Sequence, residues 1–243
     1  MIYILPLLSV IFGYIIALIL KPSNKKSLKL LLAFSGSFLL SLTVMHLLPE
    51  VYESSIQGHE GHDHGHEHSH NGIVGIYIMA GIVFQIILEY FSKGAEHGHV
   101  HASPHGHDHA HSNAMPWLLF LSLCIHALLE GMPVSHHNDL AWGIAVHHFP
   151  IAIILTAFFV NSGLNKTAIF LFMMVFAAMT PLGTLASGQL HFIGDYYTEL
   201  SAIVVGILFH ISSTIIFESS EGHKFNLAKL LVIILGVIMA YFL

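Results

Sequence analysis

A histidine and a carboxylate lie four residues apart within an apolar run of the chain. His126 and Glu130 interrupt residues 116–134, which are otherwise almost entirely apolar. Side chains at positions i and i+4 lie on one face of a helix about one turn apart, so both can reach the same ion. Imidazole and carboxylate together suit Zn²⁺ and its divalent neighbours. The pair therefore predicts metal ligands on one helix.

A second pair of polar residues interrupts the next apolar run. His147 and His148 lie within residues 140–160 and precede Pro150. Neighbouring side chains on a regular helix point roughly 100° apart, so adjacent histidines seldom bind one ion. A local distortion at Pro150 would weaken that objection. His147 and His148 are therefore both candidate ligands, and hydrogen bonding across a helix bundle is their alternative role.

Each of these runs contains a proline beside the polar residues. A proline inside a helix donates no backbone hydrogen bond, and its ring pushes against the carbonyl four residues earlier. Pro133 would thereby free the carbonyl of Leu129, and Pro150 that of Val146. Transporter helices are commonly broken in this way at their binding sites. We therefore expect both helices to break near their prolines.

The composition places these residues inside a membrane. The 243 residues are 55% hydrophobic and only 9% charged, with a mean hydropathy of +0.74. A soluble domain carries about 25% charged residues, and about 20 apolar residues span a bilayer as a helix. Ionisable residues in the hydrocarbon layer are costly and mark a functional site by default. We expect one polytopic, all-α transmembrane transporter domain over residues 1–243.

The hydropathy pattern predicts eight transmembrane helices. With eight spans, all eight lysines fall on one side of the membrane, and basic residues in short loops stay cytoplasmic. Both termini are therefore predicted to be extracytoplasmic. The first span has neither a basic n-region nor a following A-x-A-like site, so we interpret it as a mature helix. The predicted spans are 1–20, 28–48, 72–92, 116–135, 140–161, 166–188, 197–217 and 227–243.

Two loops are rich in histidine. One is predicted outside the membrane, at 53–71, and the other in the cytoplasm, at 93–114. Their tracts at 59–70 and 97–111 contain 13 of the 22 histidines. Such tracts bind borderline metals through interchangeable imidazoles, although solvated or pH-sensitive linkers are an alternative. Since they lack fixed geometry, we expect them to be accessory to any metal site.

Four further polar residues could line an ion pathway. His46 and Glu50 lie at the outer end of the second span, His210 near the middle of the seventh, and Glu218 near its cytoplasmic end. Each could equally be an interfacial or interhelical polar group. We keep both interpretations open.

Four short motifs in order along the chain resemble one family. "HLLPE" at 46–50 is similar to the end of a second span, and "HALLEG" at 126–131 to a fourth-span H-N-x-x-[DE]-G. "HHFP" at 147–150 resembles the start of a fifth-span H-E-x-P-H-E, and "TPLG" at 180–183 a sixth span. With eight spans and a histidine-rich loop after the third, the chain resembles the ZIP family of divalent-metal transporters.

The resemblance assigns roles to individual residues. His126 and Glu130 match fourth-span ligands, and His147 matches the first fifth-span ligand. His148 stands where the family has an acid, and we keep it as a further candidate ligand. These four residues form the predicted metal site.

The chain also departs from the family's pattern. Ala127 replaces an Asn or Ser that often serves a second metal, and Ile151 and Ala152 replace a final His-Glu. We therefore expect one metal ion where the family often has a binuclear centre. Such a site leaves room for a water molecule or for ligand exchange, as transport requires.

The resemblance implies two inverted three-helix repeats around spans four and five, a 3+2+3 bundle, and metal movement into the cytoplasm. The expected cargo is zinc, with iron, manganese, cobalt, nickel and cadmium as alternatives, and no further cofactor. Expected partners are divalent ions and membrane lipid, without nucleic acid, and a homodimer is one oligomeric state considered. We expect a multi-pass protein of a cell membrane, such as a bacterial inner membrane, that is not an enzyme. The alternatives are a non-transporting metal sensor and an intramembrane metalloenzyme.

Overall fold

The structure is a computed structural model that describes residues 3–20, 25–57, 67–92, 117–135, 138–190, 194–218 and 227–243. These residues are almost entirely helical and include no β-strand, as expected of an all-α, multi-pass membrane protein. The helices are α1 (Ile4–Leu20), α2 (Lys25–Leu42), α3 (Leu48–Gln57), α4 (Glu67–Ser92), α5 (Trp117–Gly131), α6 (Asn138–Asn161), α7 (Lys166–Gln189), α8 (Tyr197–Glu218) and α9 (Leu227–Tyr241).

Long apolar helices account for five of the predicted spans. In the described residues these are Lys26–Ile56, Gly72–Tyr90, Leu140–Asn161, Lys166–Gln189 and Tyr197–Phe217, each long and apolar enough to cross a bilayer. The remaining three predicted spans coincide with shorter apolar helices, Ile4–Leu20, Phe120–Gly131 and Leu227–Tyr241. The hydropathy pattern thus located every apolar helix that the structure describes.

The second span is longer than its hydropathy indicates. A π-helical turn at Thr43–Leu47 joins α2 to α3, and the helix runs on to Gln57. At the other side of the predicted outer loop, α4 already begins at Glu67. Both ends of the segment expected as loop at 53–71 are therefore helical, because polar helix ends carry no hydropathy signal. Its middle, and the whole of 93–114, lie outside the described residues.

The two prolines beside the polar residues act differently. The helix α5 ends at Gly131, just before a 3₁₀ turn at Pro133–Ser135, so the expected break is present there. The carbonyl of Leu129 is not free, however, since the backbone N–H of Met132 donates to it at 3.1 Å.

The expected break at Pro150 is absent. The helix α6 runs without interruption through Pro150, from Asn138 to Asn161. Proline removes only one hydrogen bond of the ladder, and neighbouring helices hold the remaining turns in place. The prediction of two broken helices was therefore wrong for α6.

The helices pack in two groups. In the first, which we call the site group, α1 contacts α6 and α7, and α5 contacts α7. In the second, the supporting group, α2 contacts α8 and α9, and α4 contacts α8. The two groups meet mainly where α2 packs against α6.

Glycine allows close backbone approach within each group. A Cβ added at Gly183 of α7 would lie 1.9 Å from the carbonyl oxygen of Leu128, and one at Gly131 would lie 2.2 Å from that of Thr180. Between α4 and α8, a Cβ at Gly81 or Gly206 would lie 2.0 Å from a facing carbonyl oxygen. Small residues of this kind are the usual contacts between closely packed membrane helices. The backbones of α5 and α7, and those of α4 and α8, are thus in direct contact at these glycines.

Candidate metal site

Four of the predicted ligands meet in the interior of the protein. His126 and Glu130 come from α5, and His147 and His148 come from α6. All four are buried, with between 1% and 7% of their surface exposed. The i, i+4 spacing on α5 places its two side chains on one face of that helix, and Glu130 there contacts His148 of α6. Residues separated along the chain by a helix end and a turn are thereby brought to one place.

The ligand atoms are spaced as a metal ion requires. The Nε2 atom of His126 lies 3.3 Å from Oε2 of Glu130, and Nε2 of His148 lies 3.2 Å from the same oxygen. Tetrahedral zinc with bonds of about 2.0–2.1 Å separates its ligand atoms by about 3.3 Å. His126, Glu130 and His147 can each offer one ligand atom so that all three lie within 4.8 Å of one another.

The carboxylate of Glu130 is the charged centre of this group. Its surface is 1% exposed, and its Oε1 atom has no hydrogen-bond donor among the described residues. Its two imidazole contacts lack the alignment of hydrogen bonds. A buried carboxylate without aligned donors is unfavourable unless a cation or a proton accompanies it. The arrangement therefore suits a bound cation better than a purely structural role.

His147 has a hydrogen-bond partner on α2. Its Nδ1 atom lies 2.8 Å from the hydroxyl oxygen of Ser35 on α2, and both residues are buried. His148 instead packs edge-on against Phe176 of α7, with ring centroids 5.7 Å apart. The two adjacent histidines thus face different helices, as their 100° separation predicts, yet both remain beside Glu130.

A cavity adjoins the site on one side. Apolar side chains form most of its wall, and three of the four histidines and carboxylates discussed above contribute to it. Its lining residues are Leu123, His126, His147, His148, Ile151, Phe176, Ile211 and Ile215.

Comparison with known proteins shows similarity to one family. The family model described as ZIP zinc transporter matches residues 1–115. The chain is also 34% identical over 86 residues to "Zinc transporter SLC39A7" of Rattus norvegicus, covering 33% of this chain and 18% of that protein. It is 27% identical over 193 residues to "Zinc transporter ZIP1" of Danio rerio, covering 66% of this chain and 64% of that protein.

The chain is thus similar to the ZIP family, through the family model over its first 115 residues and through two relatives named zinc transporters. The resemblance read from its short motifs is thereby confirmed. Proteins of the ZIP family are transporters and not enzymes, in agreement with the prediction that the chain is not an enzyme. The chain spans less than two thirds of either relative's length. The match to the ZIP model ends before α5, so the ligand positions depend on the motifs and the geometry described above.

The positions at which the chain departs from the ZIP pattern are apolar and packed. Ala127 is fully buried in an apolar cluster with Leu123 and Phe176. The methyl group of Ala152 is directed at Gly13 of α1, where an added Cβ would lie 2.8 Å away. Ile151 lines the cavity. None of these three side chains offers a metal ligand.

Two of the candidate pathway residues lie at the predicted outer end of the second span. His46 is exposed and donates from Nε2 to the carbonyl of Ala240 at 3.1 Å. Glu50 accepts a hydrogen bond of 3.1 Å from the hydroxyl of Tyr197, which also contacts the carbonyl of Pro133 at 3.4 Å. Neither joins the four residues of the site, so here the structure favours interhelical roles.

The other two candidates lie on α8. His210 contacts Glu89 of α4, with 2.7 Å between Nε2 and Oε2. This pair joins two helices of the supporting group and is separate from the metal site. The side chain of Glu218 lies outside the described residues.

Sequence reasoning missed Ser35. It is one of several serines in α2, and the residue that it contacts lies 112 positions further along the chain. Only its position between apolar residues could have drawn attention to it, and Ser37 and Ser41 share that feature. Cys124, two residues before His126, is buried among apolar side chains.

Proposed function

We propose that this protein carries divalent metal ions, with zinc as the principal substrate, across the membrane into the cytoplasm. The ion would be held by His126, Glu130 and His147, with His148 as a further ligand. One observation carries the proposal: a buried carboxylate surrounded by three imidazoles in an otherwise apolar bundle. The relatives of this chain that are named zinc transporters support zinc as the cargo.

The donor set favours borderline divalent ions. Imidazole nitrogen suits zinc, copper, nickel and iron, whereas carboxylate and water suit magnesium, calcium and manganese. Three imidazoles and one carboxylate therefore favour zinc, cobalt and nickel over manganese. Since the positions of a second ZIP metal are occupied by Ala127, Ile151 and Ala152, one ion per transport site is proposed.

Eight spans with both termini outside remain part of this proposal. Three contacts support the eight-span arrangement. Each joins parts of two helices that this arrangement places near the same face of the membrane. His46 near the end of the second span contacts Ala240 at the end of the last, and Glu50 contacts Tyr197 at the start of the seventh. Gly143 near the start of α6 packs on Leu42 of α2.

The two helix groups suggest where movement occurs. All four site residues belong to the site group, whose helices α5 and α7 are locked by glycine contacts. We propose that this group moves against the supporting group and carries the ion with it, as the inverted-repeat plan of 3+2+3 helices allows. The adjoining cavity supports release toward the cytoplasm, because Leu123 and Ile151, which line it, lie about one turn from His126 and His147 in that direction.

On the outer side, the bundle is closed by apolar packing. A buried cluster joins residues from the outer parts of α2, α6 and α8 and from the turn after α5. A cation cannot cross such a layer without rearrangement, since burying an unpaired charge is prohibitive. The cluster includes Leu47, Val134, Leu140, Ile144 and Leu208.

Two alternative functions have distinct signatures. An intramembrane metalloenzyme would need a general base beside the metal in addition to the ligands, and would show metal-dependent hydrolysis without ion flux. A metal sensor would bind zinc without carrying it, and the ligand losses at Ile151 and Ala152 motivate that alternative. A transporter carries ions across the membrane, whereas neither the metalloenzyme nor the sensor does, so a measurement of ion flux distinguishes them.

The decisive experiment is metal uptake by purified protein in proteoliposomes. A panel of zinc, cobalt, nickel, cadmium, iron and manganese should show time-dependent accumulation, fastest for zinc, and His126→Ala should reduce zinc uptake to that of empty vesicles. His46→Ala is the matched control, because the hydrogen bond that the described residues give His46 is to a backbone carbonyl, away from the four site residues. Binding without accumulation would establish a sensor, and equal uptake by wild type and His126→Ala would exclude this site.

A further inference from the structure

We propose that Ser35 is a positioning residue for the metal site, fixing the ring of His147 from the opposite helix group. The inference rests on the proposed function. Ser35 lies on α2 of the supporting group, whereas the four candidate ligands lie on α5 and α6 of the site group. Among the described contacts of these ligands, the one from Ser35 to His147 is a hydrogen bond that crosses between the groups.

The geometry of Ser35 selects one tautomer of His147. Its hydroxyl lies 2.8 Å from Nδ1 of the ring and 3.4 Å from the backbone carbonyl oxygen of the same residue. The donor in the shorter contact depends on the tautomer; we infer that the hydroxyl donates to the carbonyl, which can only accept, and that the hydroxyl oxygen accepts from the ring. The proton of His147 is thereby held on Nδ1. The lone pair of Nε2 remains available for a metal ion, in the arrangement that second-sphere partners of metal-binding histidines usually impose.

The backbone around Ser35 is held rigidly. At the next residue, Gly36, an added Cβ would lie 2.8 Å from a side-chain carbon of Ile215 on α8. On α9, a Cβ at Gly236 would lie 2.9 Å from the carbonyl oxygen of Phe34. The segment that presents the hydroxyl is thus packed between two helices of its own group. A hydroxyl on such a support orients a ring more precisely than one on a mobile segment.

This arrangement links metal binding to the relative position of the two groups. In the present arrangement, with the cavity beside the ligands, His147 is oriented by the supporting group. A displacement of α6 along α2 by one helical turn, about 5.4 Å, would break the hydrogen bond of 2.8 Å. His147 would then lose its fixed orientation. The site should therefore bind zinc tightly only while Ser35 faces His147.

Equilibrium zinc binding to the full-length protein in detergent tests this role. Ser35→Ala removes the acceptor and should raise the Kd by about 10–100-fold, the usual effect of losing a second-sphere partner. Ser35→Thr keeps a hydroxyl on the same carbon and should restore the affinity of the wild type. Ser41→Ala is the matched control, because Ser41 is buried on the same helix and donates only within it, to the carbonyl of Ser37.

The tautomer can be measured without any change at Ser35. In metal-free wild-type protein labelled with ¹⁵N-histidine, the signals of His147, assigned by their loss in His147→Gln, should show a protonated Nδ1 and an unprotonated Nε2. The reverse tautomer would overturn the proposal, whether or not Ser35→Ala folds.

The outcomes separate this inference from the proposed function. If Ser35→Ala binds zinc like the wild type while His147→Ala does not, Ser35 has no positioning role and the metal site stands. If Ser35→Ala and Ser41→Ala lose affinity equally, the effect arises from helix packing and the positioning role is refuted. If the wild type neither binds nor accumulates zinc, the proposed function itself fails.

Discussion

Thr184 of α7 donates a hydrogen bond from its hydroxyl to the carbonyl of Gly131 on α5, at 2.8 Å. Gly131 directly follows Glu130, so this contact fixes the end of the helix that carries two candidate ligands. The adjacent Gly183 brings the α7 backbone against Leu128. The backbone of α5 that carries the ligand pair is thus fixed by its packing on α7, and the positions of His126 and Glu130 should depend on that packing.

Gly183→Ala should destabilise the protein. The added methyl group would lie 1.9 Å from the carbonyl oxygen of Leu128. Because that oxygen belongs to the backbone of α5, it cannot easily move away. Overpacking of this kind costs about 1–3 kcal/mol, and for a chain of this size each kcal/mol lowers the Tm by roughly 2–4 °C. The matched control is Gly75→Ala on α4, where nothing lies within 4 Å of the added atom. Equal melting temperatures for the two variants, measured in one detergent, would contradict the backbone contact.

Glu130→Gln should abolish zinc uptake. The change preserves shape but removes the negative charge beside three imidazoles, so a dication would be left uncompensated in an apolar interior. Loss of one partner of a buried charge pair costs about 2–5 kcal/mol, or roughly 30- to 4,000-fold in affinity. Glu53→Gln, at an exposed position of α3, should transport like the wild type. Wild-type flux in Glu130→Gln would eliminate this carboxylate as a ligand.

His148→Asp should shift selectivity toward harder ions. Nε2 of His148 lies 3.2 Å from Oε2 of Glu130, so an acid at this position would contribute a second carboxylate to the same site. Carboxylates suit manganese better than imidazole does. We expect the ratio of manganese to zinc uptake, measured by isotope competition, to rise in this variant. An unchanged or lower ratio would show that His148 does not touch the transported ion.

The cytoplasmic histidine-rich tract should tune transport without performing it. Its sequence has too little apolar content to fix ligand geometry. Deletion of 97–111 should therefore leave substantial zinc flux and alter its apparent affinity or regulation. The uptake assay in proteoliposomes measures both. Complete loss of flux in a deletion variant that elutes as a folded protein would mean that the transport site has been misplaced.

The starts of α2 and α6 should lie on opposite sides of the membrane. In a Cys124→Ala background, one cysteine placed at Lys26 should be protected from an impermeant thiol reagent added to intact cells. Another placed at Asn138 should react, because the lysine distribution puts the first residue inside and the second outside. Labelling of both from outside would overturn the arrangement of eight spans.

Patterns along the chain were sufficient to predict the apolar helices and to propose three of the ligands. Apolar length located the membrane helices because the hydrocarbon layer demands about 20 apolar residues wherever the chain crosses it. The spacing of His126 and Glu130 placed them on one face because helix periodicity is local. His147 followed from its position in the next apolar run and from the ZIP-like motif. Each of these inferences depends on residues close together in the sequence.

Contacts between distant segments were decided only by the tertiary structure. The helix α6 passes through Pro150 unbroken, since packing by neighbouring helices outweighs one lost hydrogen bond. The choice of Ser35, and not Ser37 or Ser41, to face His147 depends on how α2 is rotated against α6. That rotation follows from the combined packing of α8 and α9 on α2, which involves residues spread over the whole chain. A sequence pattern identifies the side chains on one face of a helix. Which residue of another helix contacts that face depends on how all the helices pack together.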